Sequence, residues 1–313
     1  MVDRREVIET AEKLCEHSPR MWENESEAAA VIRKRLQSEG LEFREQQYDV
    51  VYPEFPVYEL RVDGEEVECL PSGLESGKID EKNVIDNVSI GGSDFDQQNI
   101  NFNPHCPALS KQTFYEAPSV TISRQDVQKV LEADEVEGRL EVKWGEYQST
   151  NFLVGNTEDP EMVVFTHYDS WWGGFLDNAF SVSLLLHLAP ELDLGDVLIV
   201  FAGSEEVSHE DTYWCYGYRQ FEKSYHDVLQ DCSRISVVDT IGRGETHVTQ
   251  DDFILGQALV LHNRDYIEKT DLVIGEFDRI MEIYHSPIDT RDKLTHPDQA
   301  IERVKEYFAD YLS

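Results

Sequence analysis

The sequence has few basic residues, and this shortage limits the partners that it can bind. Lys and Arg number 27 against 63 Asp and Glu, which gives a formal net charge of −36. So acidic a chain repels nucleic acid phosphates and anionic lipid surfaces, so we expect neither as a partner. The acids are spread between apolar segments along the whole chain, which argues against a disordered acidic tail. A uniformly acidic surface is typical of adaptation to a high-salt cytoplasm, where ions screen the repulsion, and we expect a halophilic protein.

Long hydrophobic runs and paired cysteines are also missing. No stretch of about 18 consecutive apolar residues occurs, and residues 1–6 are mostly charged where a signal peptide would begin. The five cysteines are widely separated and include no C-x-x-C pair. Such spacing is typical of free thiols in a reducing compartment. These absences predict a cytoplasmic protein without a membrane-spanning segment.

The signatures of several enzyme classes are absent as well. No serine lies in a G-x-S-x-G motif, which argues against a serine hydrolase of that kind. His209-Glu210 has no second histidine at the spacing of a zincin motif. The sequence also contains no glycine-rich phosphate loop and no dinucleotide-binding fingerprint, so nucleotide chemistry is not expected.

Apolar strands alternate with amphipathic helices over most of the sequence. Residues 163–165, 197–201 and 235–238 are apolar on both faces, which is typical of buried parallel strands. Residues 3–15 and 24–37 each carry one apolar stripe at helical spacing. This alternation predicts an α/β fold with a doubly wound, mostly parallel sheet.

The middle of the chain has a different character. From residue 53 to residue 147, short strand-like segments are separated by turn-rich sequence, with one well-marked helix at 123–133. The strand–helix alternation resumes afterwards. We therefore predict a catalytic domain formed by residues 1–52 and 148–313, interrupted by a small β-rich module at residues 53–147.

Acidic and histidine side chains follow the predicted strands at their C-terminal ends or lie in sharp turns. In open α/β sheets this edge is where ligands bind. Carboxylates beside a buried strand end are costly unless they are paired or bound to a cation. Imidazoles and carboxylates without cysteine suit zinc and leave room for a water molecule. The set, which predicts a metal centre, comprises His167, Asp177, Glu206, Asp239 and His285.

The order of these residues resembles the co-catalytic dizinc aminopeptidase family, which includes bacterial leucyl aminopeptidases and, more distantly, glutamate carboxypeptidase II. That family carries H-x-D, then D-N-A opening a helix, E-E after a strand, a strand-end D, and Y-H-[ST]-P-x-D. The sequence supplies His167-Tyr168-Asp169, Asp177-Asn178-Ala179, Glu205-Glu206, Asp239 and Tyr284-His285-Ser286-Pro287-Ile288-Asp289 in this order. The resemblance covers residues 150–313 and implies the zinc exopeptidase, phosphorylase/hydrolase-like fold.

The resemblance also implies a role for each residue. Two zinc ions are expected, with Co²⁺ or Mn²⁺ as alternatives. His167 and Asp239 would bind one ion, Glu206 and His285 the other, and Asp177 would bridge the two. Asp169 would hold His167 in its ligating tautomer, and Asp289 would act similarly near His285. Glu205 would be the general base that takes a proton from the attacking water and passes it to the leaving amine.

The sequence departs from the family pattern outside the ligands. Val237 stands where the family often has Asn, and no Ser-Asp-His occurs between residues 252 and 283. Trp171 and Trp172 flank ligand positions, so they are candidate walls of an apolar substrate pocket. Within the inserted module, residues 117–124 and the helix and strand after them resemble the end of a protease-associated domain.

The activity that the resemblance implies is removal of N-terminal residues from peptides. A carboxypeptidase or dipeptidase on the same centre would need a basic side chain to hold a C-terminal carboxylate, and Arg219, Arg243, Arg264 and Arg279 are available. Glutaminyl cyclases are single-zinc relatives, and they fit less well because every ligand of the two-metal pattern is present. A non-catalytic scaffold with this fold is disfavoured for the same reason.

Overall fold

A computed structural model describes residues 2–92 and 95–311. The chain forms two compact units. The first comprises the residues up to Val51, the range Glu146–Arg279 and the residues from Thr290 onward. The second comprises Tyr52–Gly145 and Ile280–Asp289. None of the described helices is long and apolar enough to cross a membrane.

The secondary structure alternates between helices and strands through most of the described chain. The helices are α1 (Arg4–Cys15), α2 (Glu23–Ser38), α3 (Val127–Glu132), α4 (Phe180–Leu188), α5 (Tyr216–Ser224), α6 (His226–Asp231), α7 (Asp252–Ala258), α8 (Phe277–Met281) and α9 (Pro297–Tyr311). The strands are β1 (Phe43–Val62), β2 (Glu65–Glu66), β3 (Cys69–Pro71), β4 (Gly77–Ile79), β5 (Val84–Asp86), β6 (Asn99–Phe102), β7 (Ser119–Ile122), β8 (Val136–Gly155), β9 (Met162–His167), β10 (Val197–Ala202), β11 (Arg234–Val238), β12 (His247–Thr249) and β13 (Thr270–Ile274).

The first unit is built on a large mixed sheet in the order β12-β13-β11-β9-β10-β8-β1. Strands β9, β10, β11 and β13 are parallel, whereas β8 and β12 pair antiparallel to their neighbours. Ala202 pairs with His167 in the register between β10 and β9, so both strands end at the same edge. The predicted α/β fold with a mostly parallel sheet is confirmed.

Burial explains why these segments form the centre of the first unit. Every residue of β9 and of β10 is buried, as expected of parallel strands covered on both faces. Helix α4 is also buried around its whole circumference, which matches its sequence FSVSLLLHL. At the N-terminus, the Asp3 carboxylate caps α1 by accepting a hydrogen bond from the backbone N–H of Arg5.

The helix predicted to open at Asp177 begins later, at Phe180. The five residues before it, Phe175–Ala179, form a wider π-type turn. Asp177 (φ −114°, ψ 85°) and Asn178 (φ −134°, ψ 30°) lie outside the helical region. The reason is that Asn178 is held by side-chain hydrogen bonds to two strand ends, which are described below. These bonds compete with the regular helical pattern.

The second unit contains a small sheet of its own, in the order β3-β7-β6-β5. Strand β2 pairs with the end of β1, and β4 pairs with the start of β8. A core of apolar side chains from these strands and α3 fills the unit, including Leu60, Ile79, Ile100, Val120, Ile122 and Val130. Strand β6 also carries two buried amides, Asn99 and Asn101. The Asn101 amide is satisfied there, because it donates to Ser72 Oγ at 2.7 Å and accepts from Thr121 Oγ1 at 2.6 Å.

The segment Ile280–Asp289 groups with the second unit, although the predicted boundaries assigned it to the catalytic domain. Hydrogen bonds inside the unit explain this grouping. Asn103 Nδ2 donates to the Met281 carbonyl at 2.9 Å, and Ser110 Oγ donates to the Tyr284 carbonyl at 2.6 Å. The resemblance of the module to a protease-associated domain stays a prediction.

Candidate metal centre

The carboxyl ends of β9 and β11 and the turn before α4 bring three candidate ligand side chains together in the first unit. His167 is the last residue of β9 and only 2% exposed. Its Nε2 lies 3.3 Å from Asp177 Oδ1 and 3.6 Å from Asp239 Oδ1. One ligand atom from each of the three residues lies within 4.8 Å of the others. A nitrogen and two carboxylate oxygens this close could hold one divalent cation.

The buried amide of Asn178 fixes the two aspartates relative to the sheet. Its Nδ2 donates to Thr166 Oγ1 at 3.1 Å, one residue before His167, and to the Val238 carbonyl at 3.2 Å. Its Oδ1 accepts from the Thr240 N–H at 3.1 Å. These bonds tie the turn that carries Asp177 to both strand ends. Because the side chain is fully buried, it adds rigidity where the ligands meet.

Asp169 links His167 to the turn after β10. One carboxylate oxygen, Oδ1, lies 3.4 Å from His167 Nδ1. The other, Oδ2, accepts a hydrogen bond from the backbone N–H of Glu206 at 2.9 Å. A carboxylate that faces Nδ1 favours the tautomer with its proton there, which leaves Nε2 free to bind a cation.

Glu205 and Glu206 follow β10 in the turn that starts at Gly203. Carboxylate oxygens of Glu206 and Asp177 lie within 4.8 Å of each other. Glu205 is only 8% exposed, and burial raises its pKa to about 8. His167 lowers the pKa of Glu205, whereas the neighbouring carboxylates, Glu206 first, raise it.

Cys215 contacts the Glu205 carboxyl directly. Its thiol donates to Glu205 Oε1 at 3.0 Å, and its backbone N–H donates to the Glu205 carbonyl at 2.6 Å. Burial raises the pKa of the Cys215 thiol well above its usual value, so the sulfur keeps its proton and remains a donor. Cys215 therefore acts on Glu205 and is not among the candidate ligands.

Electrostatics also favour a cation in this place. Four carboxylates, those of Asp169, Asp177, Glu205 and Asp239, act on the one buried imidazole of His167, and the Glu206 carboxylate lies close to that of Asp177. Burial alone lowers the pKa of His167, but the surrounding carboxylates, Glu205 first, raise it well above its usual value. Gathering so many buried charges of one sign is costly without a cation. The donor set of nitrogen and oxygen atoms fits Zn²⁺.

The remaining predicted ligand, His285, lies in the second unit. Its Nδ1 is 2.9 Å from the Lys111 carbonyl, to which it donates, and its ring stacks on Tyr284 at 3.8 Å between centroids. A donor at Nδ1 leaves Nε2 as the ligating nitrogen. Asp289 is buried in the same segment, where its backbone N–H donates to the Ser286 carbonyl at 3.1 Å.

The two tryptophans proposed as pocket walls differ in exposure. Trp171 is 5% exposed and packs edge-on against Trp22, with 5.8 Å between ring centroids. Trp172 is partly exposed and lies 6.3 Å from Trp171. Trp171 therefore serves mainly in packing, and Trp172 is the better placed of the two to meet a ligand.

Three residues at the centre were not singled out from the sequence. Asn178 was quoted only as part of a motif, and Cys215 and Arg20 carry no local signal because their contacts come from distant parts of the chain. Arg20 donates to backbone carbonyls of the loop that carries Asp169 and Asp177. The contacts of these residues depend on how the chain folds, and no spacing rule predicts them.

Comparison with solved structures finds the same fold in peptidases, including a zinc aminopeptidase. The zinc aminopeptidase BSAP from Bacillus subtilis is similar with a TM-score of 0.68 and 15% identity, covering 99% of this chain and 95% of that one. A peptidase M28 precursor from Shewanella amazonensis SB2B is similar with a TM-score of 0.67 and 14% identity, covering 97% and 91%. The fold is that of the zinc aminopeptidases.

The same fold also occurs in glutaminyl cyclases. A glutaminyl cyclase from an Acidobacteriales bacterium is similar with a TM-score of 0.52 and 14% identity, covering 99% of this chain and 94% of that one. No model of a protein family and no curated protein sequence matches this chain. At these identities the likeness establishes the fold, and the activity has to be argued from the site.

Proposed function

We propose that the protein is a zinc-dependent aminopeptidase with a dinuclear centre. The observation that carries this proposal is the group formed by buried His167 and Asp177 and half-buried Asp239, whose ligand atoms lie within 4.8 Å of one another near Glu205 and Glu206. His167, Asp177 and Asp239 would hold one ion, and Asp177 and Glu206 would hold a second. His285 is proposed as the remaining ligand on the strength of its Y-H-S-P-x-D motif.

The residues of the chain divide the work of peptide hydrolysis. When bound, the zinc ions activate the attacking water and polarise the scissile carbonyl. Glu205 accepts the proton from that water and delivers it to the leaving amine nitrogen. The Cys215 thiol occupies Oε1 of Glu205, which leaves Oε2 to carry the proton. Asp169 keeps His167 in its ligating tautomer.

A carboxypeptidase or dipeptidase on the same centre is the alternative among peptidases. It requires a basic side chain that is available to a substrate carboxylate. Arg219 is 2% exposed and donates to the carbonyls of Trp214 and Thr212 at 2.5 and 2.8 Å. Both of its Nη groups are thus committed to the protein, which argues against Arg219 as the residue that holds a substrate carboxylate.

Glutaminyl cyclase is the second candidate, because enzymes of that name share the fold. It differs in its product, since cyclisation of an N-terminal glutamine releases ammonia and shortens the peptide by no residue. The predicted Glu206–His285 pair of ligands for a second ion favours the peptidase. A non-catalytic scaffold is disfavoured by the four buried carboxylates and the half-buried Asp239 near His167.

The test is an assay of free and N-blocked aminoacyl anilides and of peptides beginning with glutamine, in molar KCl, with and without a chelator. We expect cleavage of the free substrates only, lost on chelation, and two zinc ions per chain. Glu205→Gln should lower kcat by roughly 10²- to 10⁴-fold and keep its zinc. Release of ammonia without cleavage would identify a cyclase, and zinc binding without reaction would indicate a carboxypeptidase or dipeptidase.

We also propose that the protein works at high salt in the cytoplasm, and the assay therefore contains molar KCl. The formal net charge of −36 supports it, because molar salt screens repulsion between exposed charges. We expect the unfolding temperature to rise between low and molar KCl. No rise with salt would contradict the halophilic reading. Peptides are the proposed substrates, and neither nucleic acid nor membrane is proposed as a partner.

A further inference from the structure

Arg20 is a fully buried arginine whose positive charge faces backbone carbonyls. It lies between α1 and α2, is 0% exposed, and is among the largest fully buried side chains of the described residues. A buried guanidinium is normally paired with a carboxylate. None of the hydrogen bonds that Arg20 makes within residues 2–92 and 95–311 goes to a carboxylate oxygen.

Most of these hydrogen bonds converge on one loop. Residues 168–177 connect His167 at the end of β9 to Asp177, and they include Asp169. The acceptors in the loop are the carbonyls of Tyr168 (2.5 Å from Nε), Gly173 (3.3 Å from Nη1), Gly174 (3.0 Å from Nη2) and Asp177 (3.4 Å from Nη2). The guanidinium thus contacts the loop at both ends and in its last turn.

The path of the loop explains why a buried guanidinium stabilises it. Carbonyl oxygens that point at a common centre repel one another, and a buried guanidinium satisfies several of them with a fixed fork of donors. The last turn is tight, because Gly174 has φ +54° and a Cβ there would lie 2.5 Å from the Asp177 carbonyl oxygen. Ser18 Oγ adds a bond to the Gly173 carbonyl at 3.0 Å and accepts from Arg20 Nη1 at 3.2 Å.

We propose that Arg20 is a positioning residue for the metal centre. It fixes the loop so that the carboxylates of Asp169 and Asp177 stand at the distances that His167 requires. This inference rests on the proposed function, because it assigns Arg20 to the same zinc site. Arg20 acts through the backbone of the loop and does not touch substrate or metal.

The experiment compares Arg20→Met, which keeps much of the side-chain length without charge, with Arg20→Lys and with Arg219→Met as a matched control. Arg219 is also a buried arginine that donates to backbone carbonyls. Its acceptors are the carbonyls of Thr212 and Trp214, which lie outside the loop that carries Asp169 and Asp177. For each protein we would measure the unfolding midpoint, zinc per chain, the zinc dissociation constant by competition with a chelator, and the absorption spectrum of the Co²⁺-loaded protein.

We expect Arg20→Met to bind zinc about 10- to 100-fold more weakly and to change the Co²⁺ spectrum while still folded. Arg20→Lys should fall between it and the wild type. Arg219→Met should lose stability but keep its zinc affinity and spectrum. If Arg20→Met does not fold, Ser18→Ala, which keeps the guanidinium and removes one support of the loop, should weaken zinc binding by a smaller factor.

The inference would be overturned if Arg20→Met kept the zinc affinity and spectrum of the wild type. It would also be overturned if Arg20→Met and Arg219→Met weakened zinc binding equally. If Arg20→Met fails to fold, unchanged zinc affinity in Ser18→Ala would overturn it. These outcomes are separate from a failure of the proposed function. A wild type that binds zinc without cleaving peptides would refute the activity and leave the role of Arg20 standing. A wild type that binds no zinc would refute the centre itself.

Discussion

Replacing Asp169 by asparagine tests the coupling between the two sides of the candidate centre. The substitution keeps the shape of the side chain and removes its charge. In the wild type, Oδ1 faces His167 Nδ1 at 3.4 Å, and Oδ2 accepts from the Glu206 N–H at 2.9 Å. An amide has one carbonyl oxygen, so it can serve one of these donors and must present its own N–H₂ group to the other.

The magnitude follows from losing the carboxylate contact that Asp169 Oδ1 makes with His167 Nδ1. A buried donor left without its partner costs about 1–3 kcal/mol. Because Asp169 is 0% exposed, water cannot replace the missing acceptor without rearrangement. Since each 1.4 kcal/mol is a factor of ten in an equilibrium constant, the zinc dissociation constant should rise by roughly 5- to 150-fold. Activity should fall as well, because His167 loses the carboxylate that orients its ring.

The assay is a chelator competition that reports the dissociation constant, with circular dichroism to verify that the variant is folded. Asp196→Asn, which changes an exposed carboxylate before β10, is the control and should bind zinc as the wild type does. If Asp169→Asn binds zinc with unchanged affinity, the Asp169 carboxylate does not orient His167, and the argument from the 3.4 Å contact fails.

Three further predictions concern neighbouring features. Cys215→Ala should lower kcat more than Cys215→Ser, because only serine keeps a donor to Glu205 Oε1, and equal kcat values in steady-state assays would contradict this. Burial, and then Arg35, lower the pKa of His187 to about 4. The unfolded chain therefore binds a proton that the folded one does not as pH falls from about 6.5 to 4, which should remove up to about 3 kcal/mol of stability. Denaturant unfolding of His187→Gln should lack this part of the acid loss, and an identical pH profile would argue against it. Gly174→Ala should weaken zinc binding, because alanine is strained at φ +54°. In Gly256→Ala a Cβ meets nothing within 4 Å, so the free energy of unfolding should rise by about 0.5 kcal/mol. Equal effects of the two substitutions in zinc titration and thermal melts would refute the strain at Gly174.

The sequence predicts the core of the fold well because the parallel strands are short, apolar and flanked by helices. Strands β9, β10 and β11 lie within a residue or two of the predicted segments. Strand β13, with the sequence TDLVI, was not recognised, because it contains the charged residue Asp271. In the fold that charge is buried against Arg234 and the hydroxyl of Tyr307, partners from β11 and α9 that local sequence does not reveal.

The candidate site divides in the same way. Predicted positions such as His167, Asp177 and Asp239 come together because parallel strands end at one edge of a sheet. The backbone at Asp177 was predicted as the start of a regular helix, and it is a π-type turn instead. The sequence does not predict the roles of Asn178 and Arg20, because most of their hydrogen-bond partners lie at distant positions in the chain.

In the proposed centre, the ligands of one ion would come from separate elements, namely the end of β9, the turn before α4 and the end of β11. An unfolded chain scatters these groups, so it offers zinc no comparable site. Zinc bound at the proposed centre would therefore add to the free energy of unfolding, by about 2.7 kcal/mol when its free concentration is 100 times the dissociation constant. In a cell short of zinc, both the activity and the lifetime of this protein would then depend on the metal supply.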